Sequence, residues 1–236
     1  MVQLVLEREF ALRIIRIKFK KDESVKFISH LDMMKAFQRA VRRAGLAAEY
    51  SHGFNPQMQM IFGAPLSLGF TSDSEYADFS FSIDYEPAYV FEALNIALPQ
   101  GLPVLDSGVR SINKNIMADI AYAGYEFDVK SDIAVVKLAD IIMESESLPV
   151  EKNRKGRVKT VDVRTMIVES AESSGKLKIL VKAGNDQNLN PRLFTEALKL
   201  HIDPSIEGSG YNRTEQFVER GGCMVSPLSK EALETK

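Results

Sequence analysis

Three histidines and one cysteine limit what this chain can do by proton transfer, nucleophilic attack or metal ligation. Two of the histidines fall in the stretch FISHLDMMKAFQRAVRRAGLAAEYSHGFNP, residues 27–56. His30 lies between Ser29 and Asp32 at the start of an expected helix. An imidazole beside free helix N–H groups stays neutral near pH 7, which suits a general base, and His30 is the candidate catalytic residue. The plainer reading is a polar residue in a first turn. His52 belongs to the turn Tyr50-Ser51-His52-Gly53-Phe54-Asn55-Pro56. There Gly53 opens backbone conformations closed to other residues, and Tyr50, Ser51, His52 and Asn55 can bind a ligand or brace the turn through hydrogen bonds to its own backbone.

The same residue types exclude several chemistries. His30 and His52 do not have the spacing of a zinc signature, and no His-Glu-x-x-His or paired-cysteine motif completes one, so no metal is expected. Cys223 alone cannot form an internal disulfide or hold an iron–sulfur cluster. There is no Gly-x-Gly-x-x-Gly, no Walker loop and no hydrolase triad pattern, and no cofactor is expected.

Basic residues offer a second kind of chemistry. Lys35, Arg39 and Arg42 recur at steps of four and three, with no acid among residues 33–48, and so project from one helix face. KNRKGRVK, residues 152–159, adds five positive charges. Arg16 and Lys18 lie on the polar side of LRIIRIKFK, residues 12–20, opposite Ile15, Ile17 and Phe19. Such patches suit phosphate contacts, although cations near a helix C-terminus also complement its dipole. Together with Ser29, His30, Asp32 and the 50–55 turn, they form the expected RNA- or partner-binding set.

The elements that must position these groups follow from periodicity and punctuation. A strand over 12–20 leads to a helix capped by Ser29, with Asp32 three residues on and Gly45 as its stop. Leu31, Met34, Phe37, Val41 and Ala44 mark its expected buried face. Strands over 57–62 and 76–83, a helix over 86–98 and a strand over 102–112 complete β-α-β-β-α-β. The second half repeats the order: strand 121–129, helix 132–144, strands near 157–168 and 176–182, a helix 191–202 capped by Asn190 with Pro191 in its first turn, and a strand near 213–219. This predicts an α+β protein of tandem ferredoxin-like domains with antiparallel sheets, residues 1–115 and 116–236, joined near 113–120.

The chain has 236 residues, 26% of them charged, and a net charge of −2, so the molecule as a whole is not a polyanion binder. No run approaches the roughly 20 apolar residues of a membrane span, and MVQLVLEREF lacks the form of a secretory signal, which points to the cytoplasm.

FISHLDMMKAFQRAVRRAGL, EYSHGFNP, FGAPLSLG and SEYADFSF, followed by VDVR at 161–164, RTEQFVE at 213–219 and VSPL at 225–228, together resemble the radical SAM-linked protein family, bacterial proteins encoded beside or fused to a cobalamin-binding radical SAM enzyme. The resemblance implies an accessory or substrate-presenting partner of such an enzyme, acting on RNA or a ribosomal component and making no radicals of its own. Where that family often has His after Asn-Pro, Gln57 and Met58 stand here, which weakens a metal or proton-transfer role for the turn. The alternative is an independent RNA-binding or RNA-processing protein with a ferredoxin-like fold, His30 serving as base.

Overall fold

The computed structural model describes residues 13–112, 114–154, 157–184 and 187–234, with backbone alone for residues 153, 154 and 157. Residues 1–12, with Leu12 of the expected first strand, Asn113 of the expected junction, and Lys155 and Gly156 of the second basic run lie outside the described residues.

β1 (Arg13–Lys21) buries Ile15, Ile17 and Phe19 completely, each worth about 1.5–3 kcal/mol of transfer free energy. α1 (His30–Arg43) crosses the sheet above it. At its start the Ser29 hydroxyl accepts from the Asp32 N–H. At its end Gly45 takes φ +66°, with Gly45 N–H on the Arg42 carbonyl and Leu46 N–H on that of Val41, the paired bonds of a Schellman stop. The buried face is Met33, Phe37, Ala40 and Val41, whereas Leu31, expected inside, is 66% exposed. Leu31 falls in the first turn and, at about 100° per residue, points away from that face.

β2 (Met60–Phe62), β3 (Thr71–Phe81), α2 (Pro87–Ala97) and β4 (Val104–Arg110) follow. β1 lies between β4 and β3 and β2 runs beside β3, with every pair antiparallel. The second half contains α3 (Ile116–Asp119), β5 (Ile120–Lys130), α4 (Val135–Glu144), β8 (Ile167–Ser173), β9 (Lys176–Lys182), α5 (Pro191–His201) and β10 (Glu207–Arg220), ordered β10-β5-β9-β8 and again antiparallel. Asn190 caps α5 and Pro191 opens it.

The expected separate sheets are instead one sheet of nine strands, ordered β4-β1-β3-β10-β5-β9-β8 with β2 on β3 and a short β11 (Cys223–Val225) on β10. The join is parallel, Asn212 against Thr71 and Arg213 against Ser72. It is possible because β2 spans only three residues, so β3 offers β2 its later residues and β10 its first two. Packing around the join is close: a Cβ on Gly63 would stand 2.7 Å from Ile120 Cδ1, which would have to shift.

The stretch read as one strand near 157–168 is broken. β6 (Pro149–Arg154) and β7 (Arg157–Asp162) form a separate hairpin, and Asp162 caps a turn of 3-10 helix at Val163–Met166. Asp162 accepts from the N–H groups of Leu148 and Arg164, bonds that stop the strand from continuing.

Two apolar cores result. One lies under α1 and α2 and is built around Ile17, Phe37, Phe62 and Phe79; the other lies under α4 and α5 around Phe127, Leu138 and Phe194, and takes in Phe70 and Tyr76 from the first half. Among the described residues no helix is long and apolar enough to cross a membrane.

Candidate functional site

The N-terminal end of α1 faces the join. The Ser29 hydroxyl donates to Asp32 Oδ2 at 2.7 Å, so these two residues bond to each other. The half-buried His30 meets the Phe62 ring edge-on at 5.8 Å, and its Nδ1 is buried without a hydrogen-bond partner among the described residues. Burial, then the nearby Lys21 ammonium, hold its pKa below the ordinary histidine value. Lys21 is itself buried, donates to the Lys26 carbonyl at 2.9 Å, and has its pKa lowered by burial.

Next to Lys21 lies a buried ion pair of the join. Arg213 Nη1 bonds Glu75 Oε1 at 2.9 Å and the Ala64 carbonyl at 2.9 Å; its other nitrogens reach the Tyr125 hydroxyl at 3.0 and 3.1 Å and the Pro65 carbonyl at 3.3 Å. Burial pushes the Glu75 carboxyl up, an effect that Arg213, Ser72 and Lys21 only partly offset.

Two further groups line the opposite face of the sheet. Glu215 accepts from Lys18 Nζ at 2.6 Å, from the Tyr76 hydroxyl at 2.8 Å, from the Gln216 N–H at 2.9 Å and from the Ser74 hydroxyl. Burial acts to raise the Glu215 carboxyl, but these donors together hold it below the ordinary value. Arg16 holds Asp78 through Nε at 2.7 Å and Nη2 at 3.2 Å, and donates to the Pro227 carbonyl at 3.2 Å. Its exposure is zero. Arg16 was expected at a binding surface, but the back of β1 is covered by the C-terminal segment, where Ser111 N–H bonds the Leu233 carbonyl and Leu228 and Leu233 approach Gly108. Lys18 is likewise held by Glu215.

The remaining expected residues lie elsewhere. Lys35, Arg39 and Arg42 are exposed on α1, with Asp32 3.7 Å from Lys35 supplying an acid from just outside the acid-free interval. Arg42 Nε donates to the Tyr50 hydroxyl at 3.4 Å, which places the 50–57 turn at the C-terminal end of the helix. From His30 to Arg42 the rise is roughly 18 Å, so His30 and His52 do not share a site. Ser51 braces the turn: its N–H donates to the Gln57 carbonyl at 2.8 Å and its hydroxyl accepts from Gln57 N–H at 2.9 Å. Gly53, at φ +126°, lies near the tip with His52 and Asn55 exposed.

Glu75, Asp78, Arg213 and Glu215 were not singled out from the sequence. Glu75 carried a readable signal, since it shares the alternation of Ala77, Phe79 and Phe81 and is a charge on an apolar face. Among the described residues no group of three or more His, Cys, Asp or Glu side chains is arranged to hold a metal.

The hydrogen bonds of the join therefore run between four pieces far apart in sequence: FGAPLSLG through the Ala64 and Pro65 carbonyls, SEYADFSF through Ser74, Glu75, Tyr76 and Asp78, RTEQFVE through Arg213 and Glu215, and VSPL through the Pro227 carbonyl. A comparison with curated proteins gives no match. A family described as an uncharacterized protein conserved in bacteria, DUF2344, matches residues 14–191, which takes in the first half and most of the second, and it is to this family that the chain belongs.

Proposed function

We propose that the chain is a cytoplasmic accessory protein, two ferredoxin-like units fused edge to edge, that docks on a radical SAM enzyme and presents its substrate. One observation carries this reading: the ion pairs at the join are turned inward, while large apolar side chains are exposed at its mouth. Phe27 is 71% exposed, Leu31 66% and Leu68 53%. Phe27 and Leu68 flank the hydrogen bond from Gly69 N–H to the Lys26 carbonyl, and Leu31 lies in the first turn of α1. Arg192 of the second half reaches the Leu68 carbonyl at 3.0 Å and stands over the Phe70 ring. Exposed apolar residues grouped on a rigid, polar-rimmed support suit protein docking better than proton transfer.

The test is calorimetric binding to the radical SAM enzyme encoded beside the gene. Changing Phe27, Leu31 and Leu68 to Ser is expected to weaken association by about 30-fold or more, as loss of central anchors does, with the melting temperature held within a few degrees. Unchanged affinity in the folded triple variant overturns the docking reading.

A further inference from the structure

The C-terminal end of α1 has the opposite character to the join. Arg39, Arg42 and Arg43 are all exposed, and among the described residues no carboxylate lies within ion-pair distance of them. Arg42 is tied to the 50–57 turn through Tyr50, and Arg43 to α2 through the Ala97 carbonyl. The cations are thus held between two flanking elements.

Each flank presents an aromatic ring. Phe54, at the tip of the turn, is fully exposed, and the turn beneath it is closed by the Ser51–Gln57 bonds and the Tyr50–Met58 bridge. On the other side a cleft of about 440 Å³ between α1 and α2 is lined by Arg43, Ala44, Tyr89, Ala93 and Ile96, with Glu92 as its acid. Tyr89 is 53% exposed and stacks on Tyr85 at 5.6 Å. A single exposed apolar side chain needs no explanation, and arginines near a helix C-terminus complement its dipole. Neither fact accounts for three guanidinium groups without a carboxylate partner set between two exposed rings on braced supports. That arrangement matches the chemistry of single-stranded polynucleotides, whose phosphates take the cations and whose unpaired bases stack on aromatic faces.

We propose that this end of α1 is a binding site for single-stranded nucleic acid, with Arg39, Arg42 and Arg43 on phosphates and Phe54 and Tyr89 stacking bases. It deepens the accessory reading by naming the class of substrate presented, yet its test needs no partner enzyme.

The experiment is fluorescence anisotropy of the full chain with short labelled oligouridine and oligodeoxythymidine strands, at about 50 and 200 mM salt. Saturable binding of at least one strand is expected, with RNA preferred over DNA only if the 2′-hydroxyl is read. Phe54→Ala weakens it about 5- to 150-fold, the range for loss of one stacked base. Removing Arg39, Arg42 and Arg43 flattens the dependence of log affinity on log salt by about 0.7 per lost phosphate contact. Phe54 touches no core, so that variant folds and its thermal melt is the control. Absence of saturable binding to either strand at low salt overturns the proposal. So does binding untouched by Phe54→Ala, or displaced equally well by polyglutamate, which would mark a site for acidic protein segments. The Phe27, Leu31 and Leu68 variant keeps oligonucleotide binding, so failure of docking and failure of this site are read separately.

Discussion

Arg213 at the join and Arg39 on α1 are the same residue type in opposite circumstances. Arg213 is 3% exposed and spends its donors on Glu75, Tyr125 and two carbonyls, while Arg39 is exposed on its helix face. Strand pairing supplied the first with partners: β3 and β10 pair at Thr71–Asn212 and Ser72–Arg213, and Glu75 follows three residues on along β3. α1 supplied the second with none. A buried arginine is therefore a structural strut and an exposed, unpaired one is free for a ligand. The buried charges of the join are thus held by the fold, whereas those at the far end of α1 face solvent.

The sharpest way to break it is Arg213→Ala, which strands Glu75 in a low-dielectric interior. Breaking a buried pair from one side costs about 3–5 kcal/mol, and denaturant unfolding should show it. The loss is also pH-dependent. The folded-state pKa of Glu75 is already raised by burial, and without Arg213 it rises further, so the penalty is absent where the carboxyl is protonated in both states and grows as pH climbs through the folded pKa. The variant should recover toward wild type in acid. A loss below about 1 kcal/mol, flat in pH, would show that Arg213 is not the counter-charge that the geometry makes it.

A subtler effect is expected at His30. Its folded pKa is depressed, by burial first and then by Lys21, so the fold prefers the neutral ring. That contribution is present above the ordinary value of 6.5 and is lost as pH falls through the folded pKa. His30→Asn removes it, and thermal melts of the variant should decline less steeply than wild type below pH 6.5. Parallel pH profiles would mean that the ring is solvated in both forms.

The smallest effect belongs to the exposed arginines. Arg39→Ala and Arg42→Ala should each change stability by no more than about 0.5 kcal/mol, because no buried charge is orphaned. A larger loss would place them with Arg213 and remove the distinction between strut and ligand.

Much of the element order was legible because local rules enforce it. Ser29 and Gly45 bracket α1, Asn190 and Pro191 open α5, and the alternation of β1 fixed which side Ile15, Ile17 and Phe19 bury. Where two local signals competed, the reading slipped: VKTVDVRTMI looked like one strand until Asp162 turned it. The polar face of β1 was equally misleading, since alternation tells which side is apolar but not whether the other side meets water.

The sequence by itself determined the four longer helices, the caps at Ser29 and Asn190, most of the strands and the position of most apolar faces, because these depend on residues within a turn or two of one another. It also carried the family match over residues 14–191. Only the tertiary structure decided that the two halves share one sheet, that Arg16 and Lys18 are held by Asp78 and Glu215, and that His30 and His52 lie at opposite ends of one helix. Each of those outcomes depends on contacts between residues tens to hundreds of positions apart, where strand register and the covering C-terminal segment, rather than local propensity, set which charge finds a partner.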